Sequence, residues 1–221
     1  KIEGPAGPDL TRGLGSAAEP GMASMYVTAN RGKRSATIDL QQPRGVEVLK
    51  QMVRHSDVVI QVGGRRPDSF PALPDCPCTA QNYRPGVAAR LGVDFAALSE
   101  VNPDLIMLTI SGFGESGPYV EAKVYDQVIQ AMSGVGDVMK GTLFDAQGNV
   151  TNVHTLMMDK VTALNAFQSV TAALLAKERG HGGQLIQLNM LDAAVHFLYP
   201  DSYFNQVWTE PTIAFADWNK V

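Results

Sequence analysis

The sequence predicts an α/β fold, a Rossmann-like, mainly parallel sheet with flanking helices. Three short runs, "DVVIQ" (57–61), "LIMLTI" (105–110) and "QLIQLNM" (184–190), are apolar and rich in branched residues, the pattern of strands buried on both faces. Segments with helical spacing separate them, and strands that alternate with helices build parallel sheets. With 45% apolar and 18% charged residues in 221, the chain is globular and long enough to bury one sizeable core.

Each element has its own warrant. Residues 1–30 are rich in Gly and Pro without periodicity, so they read as loop, with "KIE" as the tail of a strand. "SATIDL" (35–40) alternates and predicts a short extended piece. "PRGVEVLKQMVRHS" (43–56) puts Val46, Leu49, Met52 and Val53 on one helix face, with Pro43 suited to the first turn. After "DVVIQ" the proline-rich stretch Val62–Gln81 has no period, and 20 structureless residues fit a compact domain poorly. It reads as an extruded insert; a retained intron of 60 nucleotides (three per residue) would produce it. "DFAALSEVN" then predicts a short helix, and "LIMLTISGFG" a strand running into a glycine loop. Further helices are expected after Tyr125 and over roughly Asp159–Arg179, the latter stopped by "GHGG". The strand "QLIQLNM" and the helix "LDAAVHFLY" follow.

Composition excludes several functions. A net charge of −4, with no basic run longer than "RGKR" (31–34), gives no case for nucleic acid. The longest apolar tract, "VTALNAFQSVTAALLA", is broken by Asn165, Gln168 and Ser169, so no membrane span is expected. Cys76 and Cys78 are too few for a four-ligand zinc site and too close for a relaxed disulfide. A reducing compartment and no metal follow. Abrupt ends at "KIEGPAGPDLTRG" and "DWNKV" read as those of a fragment.

In open α/β sheets ligands bind beyond the carboxyl ends of the strands. If 62–81 is set aside, Asn82, Tyr83, Arg84 and Arg90 lie at such an edge, where arginines could hold phosphates and the ring stack on a purine. An ordinary solvated loop is the alternative. A second edge, "SGFGESGPY", has Gly112, Gly114 and Gly117 to let backbone approach a ligand. In "AKVYDQVIQAMSG" (122–134), Lys123, Tyr125 and Asp126 form either an acidic helix start or one wall of a pocket. Asp159 in "MMDKVTAL" is either a helix N-cap or a carboxylate nucleophile in an apolar setting. His154 and His196 read as packing residues. Ser111 is in no Gly-x-Ser-x-Gly elbow, so a serine hydrolase is unsupported.

Taken in series, "KIEGPAGPDLTRG", "NRGKRSATIDLQQPRGVEVLKQMVRHSDVVIQ", "NYRPGVAARLG", "NPDLIMLTISGFGESGPY", "KVYDQVIQAMSG" and "LLAKERGHGGQLIQLNMLDAAV" resemble the family III CoA-transferases. That group includes carnitine CoA-transferase, formyl-CoA transferase and α-methylacyl-CoA racemase. The resemblance implies an aspartate that forms an acyl anhydride and then a CoA thioester, and the position falls on Asp159. Lys123, Tyr125 and Asp126 match the motif lining the thioester region. CoA contacts carry over to Ile38, Asp39, Leu40, Asn82, Tyr83 and Arg90, while Gln41 replaces a lysine seen in some members. Racemases have His-Asp where this chain has Tyr125-Asp126, which favours transfer over racemisation.

Further expectations come with the family. Residues 1–200 would be part of a large domain, with 62–81 as an irregular insert and 201–221 starting a linker to a small domain. CoA and acyl-CoA would be substrates, with no permanently bound cofactor, and a carboxylic acid the acceptor. The complete protein would be an interlocked homodimer in the cytoplasm, with mitochondria and peroxisomes as alternatives. A 2-methylacyl-CoA racemase, or an inactive fragment, are the competing outcomes.

Overall fold

A computed structural model describes residues 1–5, 9–62, 86–122, 124–139, 149 and 152–202, except the side chain of Asp137. The three predicted strands form one parallel sheet: β3 (Val58–Val62), β4 (Ile106–Ser111) and β5 (Gln184–Asn189), in the order β3-β4-β5. Ile60 aligns with Leu108, and Leu108 with Ile186. A separate parallel pair joins β1 (Ile2–Glu3) to β2 (Ala36–Thr37). Val62, read as the first residue of the insert 62–81, pairs with Ile110 and belongs to β3; residues 63–81 lie outside the described residues.

β4 is the buried centre, with Leu105, Ile106 and Leu108 at 0% exposure. Its flanks are less covered than their apolar runs suggest. Ile60 is 58% and Val62 52% exposed on β3, and Leu185 is 41% exposed on β5. A β-branched run reports burial of the strand as a whole and says nothing about which face lacks a neighbour.

Helices pack against this sheet. α2 (Pro43–Val53) starts at Pro43 and sends Leu49 and Val53 into a core with Leu98, Leu105 and Met107; Met52, expected on that face, is 42% exposed. α4 (Phe95–Ser99) is capped by Asp94, whose carboxylate accepts from the Ala97 amide at 3.2 Å. Ile106 and Leu108 alternate with Met107 along β4 and so face the opposite side, and α7 (Met157–Ala176) lies on β4 and β5. α7 ends in the turn Lys177–His181, where Gly180 takes φ 88°. Gly183 follows because a Cβ there would lie 2.4 Å from the Leu105 carbonyl oxygen.

Two features of the first 30 residues were not foreseen. Ser24–Ala29 form a short helix, α1, and Arg12 ties the segment to β1. Arg12 grips Glu3 with two bonds, Nε to Oε1 at 3.2 Å and Nη2 to Oε2 at 2.6 Å, and lies 3.9 Å over the Tyr26 ring. The Arg12 hydrogen bond, outweighing desolvation, helps hold the Glu3 carboxyl down at about 2. A depressed carboxyl adds stability above its ordinary value of 4.5 and loses it as pH falls through the folded value. The contribution is at most about 3 kcal/mol. Urea unfolding from neutral pH down to about pH 2 should show a decline over that window that Arg12→Met lacks; parallel curves would contradict it.

Candidate functional site

The site is built where two distant segments meet, the start of α5 (Asp126–Met132) and the start of α7. Tyr125 is extended (φ −142°, ψ 164°) just ahead of α5, and 37% exposed. Asp126 turns the other way: it is 2% exposed. Its Oδ2 accepts a hydrogen bond from the Asp159 backbone amide at 2.9 Å, and its Oδ1 accepts one from the side-chain amide of Gln130, one turn further on. Asp126 therefore does not line a pocket with its carboxylate, as its motif implied. It acts as an internal support.

Gln130, 1% exposed, extends that support to the strap that leads into α7. Its Oε1 accepts from the Val153 amide at 2.7 Å, and its Nε2 donates to the carbonyls of Thr155 (3.1 Å) and Val153 (3.3 Å). Gln130 lies within the family-like segment "KVYDQVIQAMSG", and nothing in that segment alone gives it a role.

Asp159 is the third residue of α7, whose N-cap position belongs to Leu156, without a side-chain cap. The N-cap alternative for Asp159 does not hold. Asp126 supplies the cap from 33 residues away. Asp159 is exposed, and among the described residues its carboxylate accepts no hydrogen bond. Although solvent reaches it, surrounding protein partly desolvates it, and this raises its pKa from the ordinary value; the Asp126 charge raises it further. A more basic carboxylate is a better nucleophile.

Glycine at 112 closes the sheet edge behind the site. A Cβ at Gly112 would lie 2.6 Å from the Cβ of Val124, so the absent side chain lets the segment before Tyr125 cross the end of β4. Gly112 and Gly114 also line a cavity at the end of the sheet. Gly114 (φ 88°) and Gly117 (φ 98°) serve the turn that follows.

This cavity, of about 470 Å³, runs along one face of the sheet from Met107 and Leu185 to its carboxyl edge and is lined also by Gln61, Thr109, Ser111, Phe113, Val124 and Gln187. Ala88 and Ala89 of α3 (Val87–Leu91) form another wall, and the exposed Arg90 sits on the same helix. Neither Asp159 nor Tyr125 lines this space. Ile38, Asp39 and Leu40 follow β2, with the Ile38 amide donating to the Glu3 carbonyl at 3.0 Å. The Asp39 carboxylate is engaged in its own turn, accepting from the Gln41 amide at 3.0 Å. Leu40 packs on the same core as Ala88 and Leu91, so one cluster holds that turn and the Arg90 helix. Asn82, Tyr83, Arg84 and Lys123 lie outside the described residues. Among the described residues no group of three or more His, Cys, Asp or Glu side chains could hold a metal ion.

Comparison with known proteins bears on this geometry. The model of CoA-transferase family III matches residues 1–68 and 78–215. The chain belongs to CoA-transferase family III. The unmatched residues 69–77 fall inside the stretch read as an insert. Acetyl-CoA:oxalate CoA-transferase of Acetobacter aceti is 34% identical over 200 residues, covering 90% of this chain and 45% of that protein. The succinyl-CoA–L-malate CoA-transferase beta subunit of Chloroflexus aurantiacus is 31% identical, covering 89% and 42% respectively. Among solved structures, a CAIB/BAIF family protein from Brucella suis aligns with a TM-score of 0.75 at 28% identity, covering 95% of this chain and 50% of that one. This family III chain thus spans about half the length of the relatives it matches.

Proposed function

We propose that the chain carries the nucleophile side of an active site that moves CoA from an acyl-CoA to a free carboxylic acid. The observation that carries the reading is Asp159, an exposed carboxylate whose own backbone amide is fixed by a buried one. Attack of Asp159 on the thioester carbonyl forms a C–O bond and breaks the C–S bond, leaving a mixed anhydride and the CoA thiolate. The thiolate then attacks the aspartyl carbonyl, releasing the donor's carboxylate and leaving an aspartyl thioester. The acceptor carboxylate then attacks the aspartyl thioester carbonyl and expels the CoA thiolate, which attacks the acceptor's acyl carbon in the new anhydride, giving the new acyl-CoA and freeing Asp159. The thiolate is a good leaving group, so no general base is needed to start. CoA is a substrate in this scheme. Incubating the complete protein with acyl-CoA labelled in its CoA moiety and candidate acids tests it. Label should appear in a new acyl-CoA, and exchange of the α-proton without transfer would instead make it a racemase.

CoA recognition is proposed to involve Ile38, Asp39, Leu40, Asn82, Tyr83, Arg84 and Arg90, with Lys123 and Tyr125 near the thioester. Support comes from Arg90 standing exposed on a helix that walls the cavity. Asp94, Glu115 and Glu121 are among the residues of that cavity, and the phosphates are proposed to be held by Arg90 at its rim. A charge-assisted bond to phosphate is worth about 1.5–3 kcal/mol. Arg90→Ala should therefore weaken CoA binding by roughly 10- to 100-fold in a titration of the complete protein. Unchanged affinity would return Arg90 to a solvated loop.

Residues 1–200 are taken as part of the large domain of such an enzyme, and 201–221 as the start of a linker. A homodimer is supported by the outer face of α7, where Leu164 is 68%, Phe167 72% and Leu175 52% exposed; large apolar side chains exposed in a row are normally covered. Sedimentation of the complete protein should give twice the chain mass, and a monomer would remove this assignment. No helix among the described residues is long and apolar enough to cross a membrane; a cytoplasmic location belongs to the proposal.

A further inference from the structure

We infer that Gln130 is a positioning residue for Asp159, acting through the Asp126 carboxylate and the strap at residues 152–156. The inference rests on Asp159 being the nucleophile, but its geometry is independent of that role. The amide of Gln130 can face only one way. The Val153 N–H requires an acceptor, so Oε1 must sit there, 2.7 Å away. Nε2 then meets three acceptors, Asp126 Oδ1 and the carbonyls of Val153 and Thr155. A flipped amide would set a donor against a donor and acceptors against acceptors. The side chain is a directional strut: it fixes the rotation of the Asp126 carboxylate and the path of the strap together.

Both consequences reach the same atoms. With Oδ1 fixed by Gln130, Oδ2 of Asp126 is aimed at the Asp159 amide. The strap that Gln130 pins at Val153 and Thr155 runs directly into the first turn of α7, which carries Asp159. Without the strut, Asp126 can rotate and the start of α7 can shift while CoA contacts elsewhere stay as they are. Covalent attack is sensitive to displacements of about 1 Å, whereas binding through remote groups is not. Gln130 should therefore govern the rate of adduct formation and leave CoA affinity alone. A residue that only stabilised the fold would lower the folded fraction and leave the rate per folded molecule unchanged.

The test uses the complete protein, single-turnover formation of the aspartyl adduct from acyl-CoA, and CoA titration, each normalised to folded protein. Gln130→Leu should slow adduct formation by roughly 10- to 100-fold with CoA affinity within about twofold of the parent. Gln130→Glu sets a second carboxylate against Asp126 and should be slower still. Asp126→Asn combined with Gln130→Glu restores a donor–acceptor contact between the two side chains while the new carboxylate still faces the Val153 and Thr155 carbonyls, and should recover part of that loss. An unchanged rate in folded Gln130→Leu would overturn the role of Gln130. Where Gln130→Leu fails to fold, a double variant no faster than Gln130→Glu alone would overturn it equally. Asp159→Asn is the control: adduct formation undiminished there would bring down the nucleophile reading, whereas loss there with a normal rate in Gln130→Leu would bring down only the strut.

Discussion

Asp159→Asn should abolish CoA transfer by several orders of magnitude while leaving the fold intact. The amide is close in shape and cannot form the anhydride. It also removes a charge held in partly desolvated surroundings near Asp126. A carboxyl whose folded pKa is raised favours folding in its protonated form, below its ordinary value of 3.8, and that contribution disappears as pH rises through the folded value. The asparagine variant should therefore be at least as stable as the parent at neutral pH, with any advantage vanishing in acid. Thermal unfolding at both ends of that range, alongside activity, checks the pair of outcomes. A variant that loses activity by losing its fold would contradict the placement of Asp159 outside the core.

Asp126→Ala has the opposite profile, with a large cost in stability. The substitution leaves the Asp159 amide and the Gln130 side chain without their shared acceptor. Hydrogen bonds to charged groups are worth roughly 1.5–3 kcal/mol each, and removing one buried partner strands the other. A loss of about 3–5 kcal/mol is expected for the two together, large against the total stability of a domain of this size. Asp126→Asn should cost less, because it keeps an acceptor for the amide. Urea unfolding measures both, and a loss below about 1 kcal/mol for Asp126→Ala would mean that the buried carboxylate does not cap α7.

The strands and most helices were legible because local patterns report them: β-branched runs for β3 and β4, and Pro43 with a helical stripe for α2. The family was legible because six segments occur in order. Asp159 and Tyr125 could be named, but not that Asp159 stands exposed on the first turn of α7 with its amide held by Asp126. Of the two readings of Asp126, an acidic helix start or a pocket wall, the first matches its place as the first residue of α5, but its partners in space include an amide 33 residues away that no local pattern shows. Gln130 gave no local sign, since its role depends on the strap at Val153 and Thr155. Exposure of Ile60, Val62 and Leu185 was equally hidden, as apolar sequence does not tell which neighbour covers it. Helix α1 was missed because Ser24–Ala29 has neither a side-chain cap nor an apolar period.

The central claim is that Asp159 becomes covalently bonded to the acyl group or to CoA during turnover. Hydroxylamine trapping of the complete protein after exposure to acyl-CoA, followed by peptide mass spectrometry, tests it most directly. A hydroxamate on Asp159, absent without acyl-CoA and absent in Asp159→Asn, is the predicted result. A hydroxamate on Asp126 or another carboxylate, or full turnover with Asp159 unmodified, would contradict it.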